Sequence, residues 1–140
     1  MDNLKLHYDV NGDDFSVAGE NSSKVKKMLK QLGFSPDVIR CVAIAMYEAE
    51  INMVIHANGG FIDVDISPER VKVELQDKGP GIPDIEKAMQ EGYSTASNRV
   101  RELGFGAGMG LPNMKKYTDE LNISTEIGKG TLVELIVNVK

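Results

Sequence analysis

The stretch CVAIAMYEAEINMVIHAN, residues 41–58, is apolar on nearly every side of a helical wheel and runs into the doublet Gly59-Gly60. That pattern predicts a long helix buried in a core, not a surface helix with a single apolar stripe. Ser35-Pro36-Asp37 supplies its start: a capping hydroxyl, a proline suited to the first turn, and an acid near the positive end of the helix dipole. The few polar residues inside the stretch then need partners. Glu48 and Asn52 are four apart, about 40° around the axis, so they project one turn apart from one face, and His56 continues the stripe. A buried polar group left unpaired costs roughly 1–3 kcal/mol. The stripe therefore means either internal partners or a cavity holding water, metal or ligand. Glu50 lies about 200° from Glu48 and points the other way, toward solvent or a partner. Cys41, the single cysteine, reads as core packing.

On either side of this helix the pattern switches to period two. Leu4, Leu6, Tyr8 and Val10 alternate with polar neighbours before the turn signal Asn11-Gly12-Asp13-Asp14, and Phe15 and Val17 resume the alternation, predicting a hairpin. His7 on the first of these strands has no partner that the sequence names. A first helix over 22–32 follows from the spacing of Val25, Met28, Leu29 and Leu32, closed by Gly33. Beyond the long helix, Ile62, Val64 and Ile66 alternate with Asp63 and Asp65, and Val71, Val73 and Leu75 with Lys72, Glu74 and Gln76, giving two antiparallel strands that meet at Pro68-Glu69. Next come a loop (KGPGIP), a short helix over 84–90, a polar glycine-punctuated segment over 92–110, and a helix from near Leu111 that ends before Asn122. Leu121, Ile123, Thr125 and Ile127 then face Leu132 or Val133, Leu135 and Val137 across Gly128-Lys129-Gly130. The class is α/β (α+β): helices packed on one face of a mixed, mostly antiparallel sheet, as one domain over residues 1–140.

Composition narrows the function. A chain of 140 residues with 16 Lys+Arg against 21 Asp+Glu has a formal net charge of −5 and no run of like charge that would grip nucleic acid or an anionic membrane. One cysteine excludes an internal disulfide, and no apolar run approaches the roughly 20 residues of a membrane span. The cytoplasm is the expected compartment.

Two further motifs carry chemistry. Asp77-Lys78-Gly79-Pro80-Gly81 puts an acid at a strand mouth followed by two glycines. Either Asp77 caps backbone donors in a strand-end turn, or it accepts from an exocyclic amine while the glycines admit something close to the backbone. Gly104-Phe-Gly106-Ala-Gly108-Met-Gly110-Leu111-Pro112 sets four glycines at two-residue intervals ahead of a helix, and the exposed N–H groups suit nucleotide phosphates. It is neither a Walker A loop nor a dinucleotide-binding fingerprint.

Taken in order, Glu48-x-x-x-Asn52, Asp77-x-Gly79-x-Gly81, Gly106-x-Gly108-x-Gly110-Leu111 and Gly130-Thr131 resemble the GHKL ATPase family, whose ATP-binding domain is the Bergerat fold. Within that family the chain is similar to the small anti-sigma-factor and switch-protein serine kinases of bacterial partner switching. The resemblance spans nearly the whole chain. It implies ATP and Mg²⁺ as cofactors, with Asn52 the Mg²⁺ ligand and Glu48 the catalytic base. It also implies that Asp77, Gly79, Gly81 and Thr131 lie about the adenine, and that Gly106, Gly108, Gly110 and Leu111 wrap the phosphates. Arg99 and Arg101 fall in the lid, with Tyr93 and Phe105 toward its ends. Ile51 and Met53 flank Asn52 where several relatives carry a small or hydroxyl residue. The implied function is a serine/threonine kinase that phosphorylates a small STAS-domain antagonist protein. The alternative is a nucleotide-gated module that sequesters a sigma factor or other regulator without phosphotransfer. A homodimer formed through the sheet edge near the N-terminal strand is also implied.

Overall fold

The computed structural model describes residues 3–11, 19–56, 59–77, 110–126 and 130–139. In chain order these form β1 (Leu4–Asn11), α1 (Glu20–Gln31), α2 (Pro36–His56), β2 (Gly59–Ile66), β3 (Arg70–Asp77), α3 (Gly110–Lys116), β4 (Glu120–Glu126) and β5 (Gly130–Asn138). The strands make one open sheet, ordered β1-β2-β3-β5-β4, in which every neighbouring pair is antiparallel. Leu121 stands opposite Leu135, Ile123 opposite Val133 and Thr125 opposite Thr131, so it is Val133, not Leu132, that shares a face with Leu135 and Val137. The strand expected at Phe15 and Val17 and the helix expected over 84–90 lie outside the described residues.

The alternation sorts the sheet into two faces. Ile62, Val64, Ile66, Val71, Val73, Leu75 and Leu135 are buried beneath the helices, while Asp63 on the other face is exposed. From α1 the core receives Val25 and Leu29, from α2 Val42, Met46, Met53 and Val54, and from α3 Met114. Full burial of one such aliphatic side chain contributes about 1.5–3 kcal/mol, so this continuous layer holds the helices to the sheet. Within the layer α2 is central, touching β1, β2, β3 and β5, with α1 on one flank and α3 on the other. It begins as the sequence predicts: the Val38 N–H donates to Ser35 Oγ at 3.3 Å. α1 closes at Gly33, whose φ of +82° favours glycine. No described helix is long and apolar enough to cross a membrane.

Two expectations for α2 need correction. It is not buried all round: Tyr47 is 40% exposed and Arg40 and Asp37 are exposed, because among the described elements no further layer packs on the side of the helix that faces away from the sheet. Glu50 does not face solvent. It does point away from Glu48, but α1 covers that flank, leaving the residue 1% exposed. Its two carboxylate oxygens accept the backbone N–H groups of Asn21 (3.1 Å) and Ser22 (2.9 Å) in the first turn of α1. A side chain from another helix thus satisfies donors that a helix start leaves unpaired, while Gly19 at the N-cap offers none.

Candidate functional site

The connections bring several predicted residues to one end of the sheet. β2 starts at Gly59, three residues after α2 ends at His56, and Gly60 pairs with Asp77 at the end of β3. β5 starts at the same end, with Gln76 opposite Leu132. Asp77, Thr131 and the last turns of α2, which carry Asn52, are therefore collected where β2 and β5 begin and β3 ends.

Asp77 Oδ1 accepts the backbone N–H of Thr131 at 2.9 Å. The strand-end reading of Asp77 is thus part of the truth, since it caps a backbone donor across two strands. A carboxylate has about four acceptor positions, so this bond leaves it able to accept from a ligand amine as well. Thr131 is buried at 4% exposure, and its Oγ1 lies 3.0 Å from that of Thr125. Gln76 Nε2 donates to the Asp77 carbonyl at 3.0 Å and the Thr131 carbonyl at 3.4 Å, tying the ends of β3 and β5 together.

Glycines let the neighbouring strands approach β3 so closely. Gly130 has φ of +130°, and a Cβ there would stand 2.2 Å from the Asp77 carbonyl oxygen. Gly60, on the other side, has φ of +151°, and a Cβ would stand 1.9 Å from the Gln76 carbonyl oxygen. The segment Gln76-Asp77 is gripped between two strands that must both be glycine at the point of contact.

On α2, Glu48 is half-buried, and Asn113 Nδ2 of α3 donates to its Oε1 across a long 3.4 Å contact. α3 opens at Gly110, and Met114 is fully buried in the shared core. The helix that follows the glycine ladder is therefore docked on the same flank of α2 as Glu48. Asn52, one turn on, is half-buried between the buried Ile51 and Met53, and among the described residues its carboxamide makes no hydrogen bond.

The structure thus joins Asp77 to Thr131 and Glu48 to the segment opened by Gly110 and Leu111. Among the described residues no hydrogen bond links the two pairs. Gly79, Gly81, Gly106 and Gly108, the residues Tyr93, Arg99, Arg101 and Phe105 expected in a lid, and the His56 side chain lie outside the described residues. Sequence reasoning missed Asn113 and Gly60. The signal for Gly60 was present in the Gly59-Gly60 doublet, whereas Asn113 is an unremarkable polar residue until α3 is docked.

A family profile described as histidine kinase-like ATPase domain matches residues 18–137. Among curated proteins, the chain is 32% identical to the serine/threonine-protein kinase RsbT of Bacillus subtilis (strain 168) over 115 residues, 79% of this chain and 80% of that protein. It is 37% identical to the anti-sigma F factor of Thermoanaerobacter sp. (strain X514) over 110 residues, 75% of this chain and 73% of that one. Among solved structures, the RsbU and RsbW domains of Rv1364c from Mycobacterium tuberculosis match with a TM-score of 0.61 at 14% identity, covering 97% of this chain and 32% of that longer one. The SiaB–SiaC complex from Pseudomonas aeruginosa also matches with a TM-score of 0.61 at 14% identity, covering 94% of this chain and 88% of that one. At such identities the two structures speak for the fold alone.

Proposed function

The chain belongs to the histidine kinase-like ATPase domain family, and from that premise we propose that it is a serine/threonine protein kinase that transfers the γ-phosphoryl group of ATP to a small STAS-type antagonist protein. The observation that carries this reading is the meeting of Asp77 with Gly130-Thr131 at the sheet end where α2 brings Asn52, on the helix that also carries Glu48. In this reading Asp77 accepts from the adenine amino group while its other contact fixes Thr131 at the ring edge, with Gly79 and Gly81 beside the base. Gly106, Gly108, Gly110 and Leu111 wrap the phosphates.

Glu48 is the base. As the hydroxyl oxygen of the acceptor bonds to the γ-phosphorus, its proton passes to the Glu48 carboxylate, the bond to the β,γ-bridging oxygen breaks and ADP leaves with that oxygen. Asn113, which already donates to Glu48, holds the carboxylate in one orientation. A single half-buried carboxamide such as Asn52 fits Mg²⁺, which takes few protein oxygens and completes its shell with phosphate oxygens and water. Bound there, the ion supplies charge neutralisation on the phosphates.

The likeness to an anti-sigma F factor supports a second element of the reading, a sigma factor as the protein held in one nucleotide state. Homodimerisation along β1 is supported by the position of that strand, which among the described strands pairs only with β2 and lies at the edge of the sheet. Labelled ATP, the purified chain and its antagonist should yield phosphoprotein. Glu48→Ala should lower the transfer rate by at least about 10²-fold with ATP affinity kept. Undiminished transfer by the variant removes Glu48 as base, and ATP binding without any transfer favours the gated module.

A further inference from the structure

Along the first half of α2, ahead of Glu48, the two helices α1 and α2 leave a groove of about 400 Å³. Its apolar lining comes from Phe34, Ile39 and Ile44, with Lys26 and Lys30 one turn apart on the α1 wall and Arg40 on the α2 wall. Ile39 is buried, Phe34 and Ile44 are half-buried, and all three cations are exposed. Leu32, one of two large hydrophobic residues exposed among those described, sits in the same α1–α2 connection.

Charge and shape together limit what can fill the groove. The chain is acidic overall, yet among the described residues no acid lines this site, and α1 carries Lys24, Lys26, Lys27 and Lys30 against Glu20 alone. Only Lys24 of these is paired, with Glu20 at 3.4 Å; among the described residues Lys26, Lys30 and Arg40 make no ion pair. A small anion would satisfy the cations but leave the apolar floor wet. A flat membrane surface would reach the cations but not the floor. A helix with an apolar stripe flanked by carboxylates on both sides satisfies both walls and the floor. We propose that this groove docks an acidic amphipathic helix of another protein. Ile44 and Arg40 lie one and two turns before Glu48 on α2, so the groove adjoins the candidate phosphotransfer residue without including it, and the inference stands whether or not that reaction occurs.

The test uses the full chain, isotopically labelled, and a designed peptide of about four helical turns with leucine along one stripe and glutamate on both flanks. At low salt its titration should give saturable NMR shifts centred on Lys26, Lys30, Ala43 and Ile44. Charge reversal on one wall (K26E/K30E) or on the other (R40E) should each weaken binding roughly tenfold, with unchanged circular dichroism showing that the variants fold. The proposal is overturned by no saturable shift up to about 1 mM peptide, by shifts centred elsewhere, or by equal binding of an isomer with lysine flanks. Shifts of the same residues by phosphatidylglycerol vesicles but not by the peptide would instead assign the groove to a membrane surface.

Discussion

His7 lies on the solvent face of β1, where its Nδ1 is 2.5 Å from Asp63 Oδ1 on β2 and its Nε2 3.3 Å from Asp9 Oδ1. The ring stacks on Phe61 with centroids 5.6 Å apart. The hydrogen bond to Asp63 raises its pKa above 6.5 despite some desolvation, and Asp9 adds to the effect. Since the folded value lies above the unfolded one, the stabilisation is fully present below pH 6.5 and is lost as pH rises through the folded pKa. An NMR titration should place the His7 midpoint above 6.5 and Asp63→Asn should move it back toward that value; a midpoint that does not move would deny the pairing. Glu50 has the same sign for a different reason. Burial raises its pKa above 4.5, against the Ser22 and Asn21 hydrogen bonds that lower it. Stability therefore falls as pH rises from 4.5 through the folded value, and Glu50→Gln should remove that slope. Glu50→Ala, which strands two helix N-terminal donors, should cost about 2–4 kcal/mol in urea unfolding. Helical geometry gave the direction of Glu50 correctly from residue spacing. It could not give the burial, which depends on α1 packing over that flank, just as the partner of His7 depends on strand register.

The end of β3 shows the same division at the scale of elements. Alternation located β2, β3, β4 and β5 to within two residues, and the capping signals located α2, because those patterns are local. That Gln76-Asp77 is clasped between Gly60 and Gly130 follows only from the order of strands, which puts β5 rather than β4 beside β3. Gly130→Ala should therefore do more than stiffen a turn. A Cβ at a positive φ, set against the Asp77 carbonyl, should cost about 2–4 kcal/mol and open the β3–β5 junction. ATP affinity should fall along with thermal stability in that variant. A variant that keeps full ATP affinity would show that the junction does not shape the adenine side of the site.

At the scale of the molecule, the described elements form two layers, and among them the outer side of α2 stays open. β1 presents a row of backbone groups without a neighbour on its outer side among the described strands, the surface through which a second copy would extend the sheet. Sedimentation of the purified chain should show a concentration-dependent dimer, and a monomer at every concentration would remove pairing along β1 from the reading. The strand order also sets a schedule for biosynthesis. β1, β2 and β3 pair in succession as the chain emerges, but β5, which completes the centre of the sheet, follows β3 by more than fifty residues. On the ribosome the first three strands must wait with one flank of β3 bare. Asp77 and Thr131 meet only after that delay, so a nucleotide ligand can stabilise the finished domain and cannot chaperone its early half.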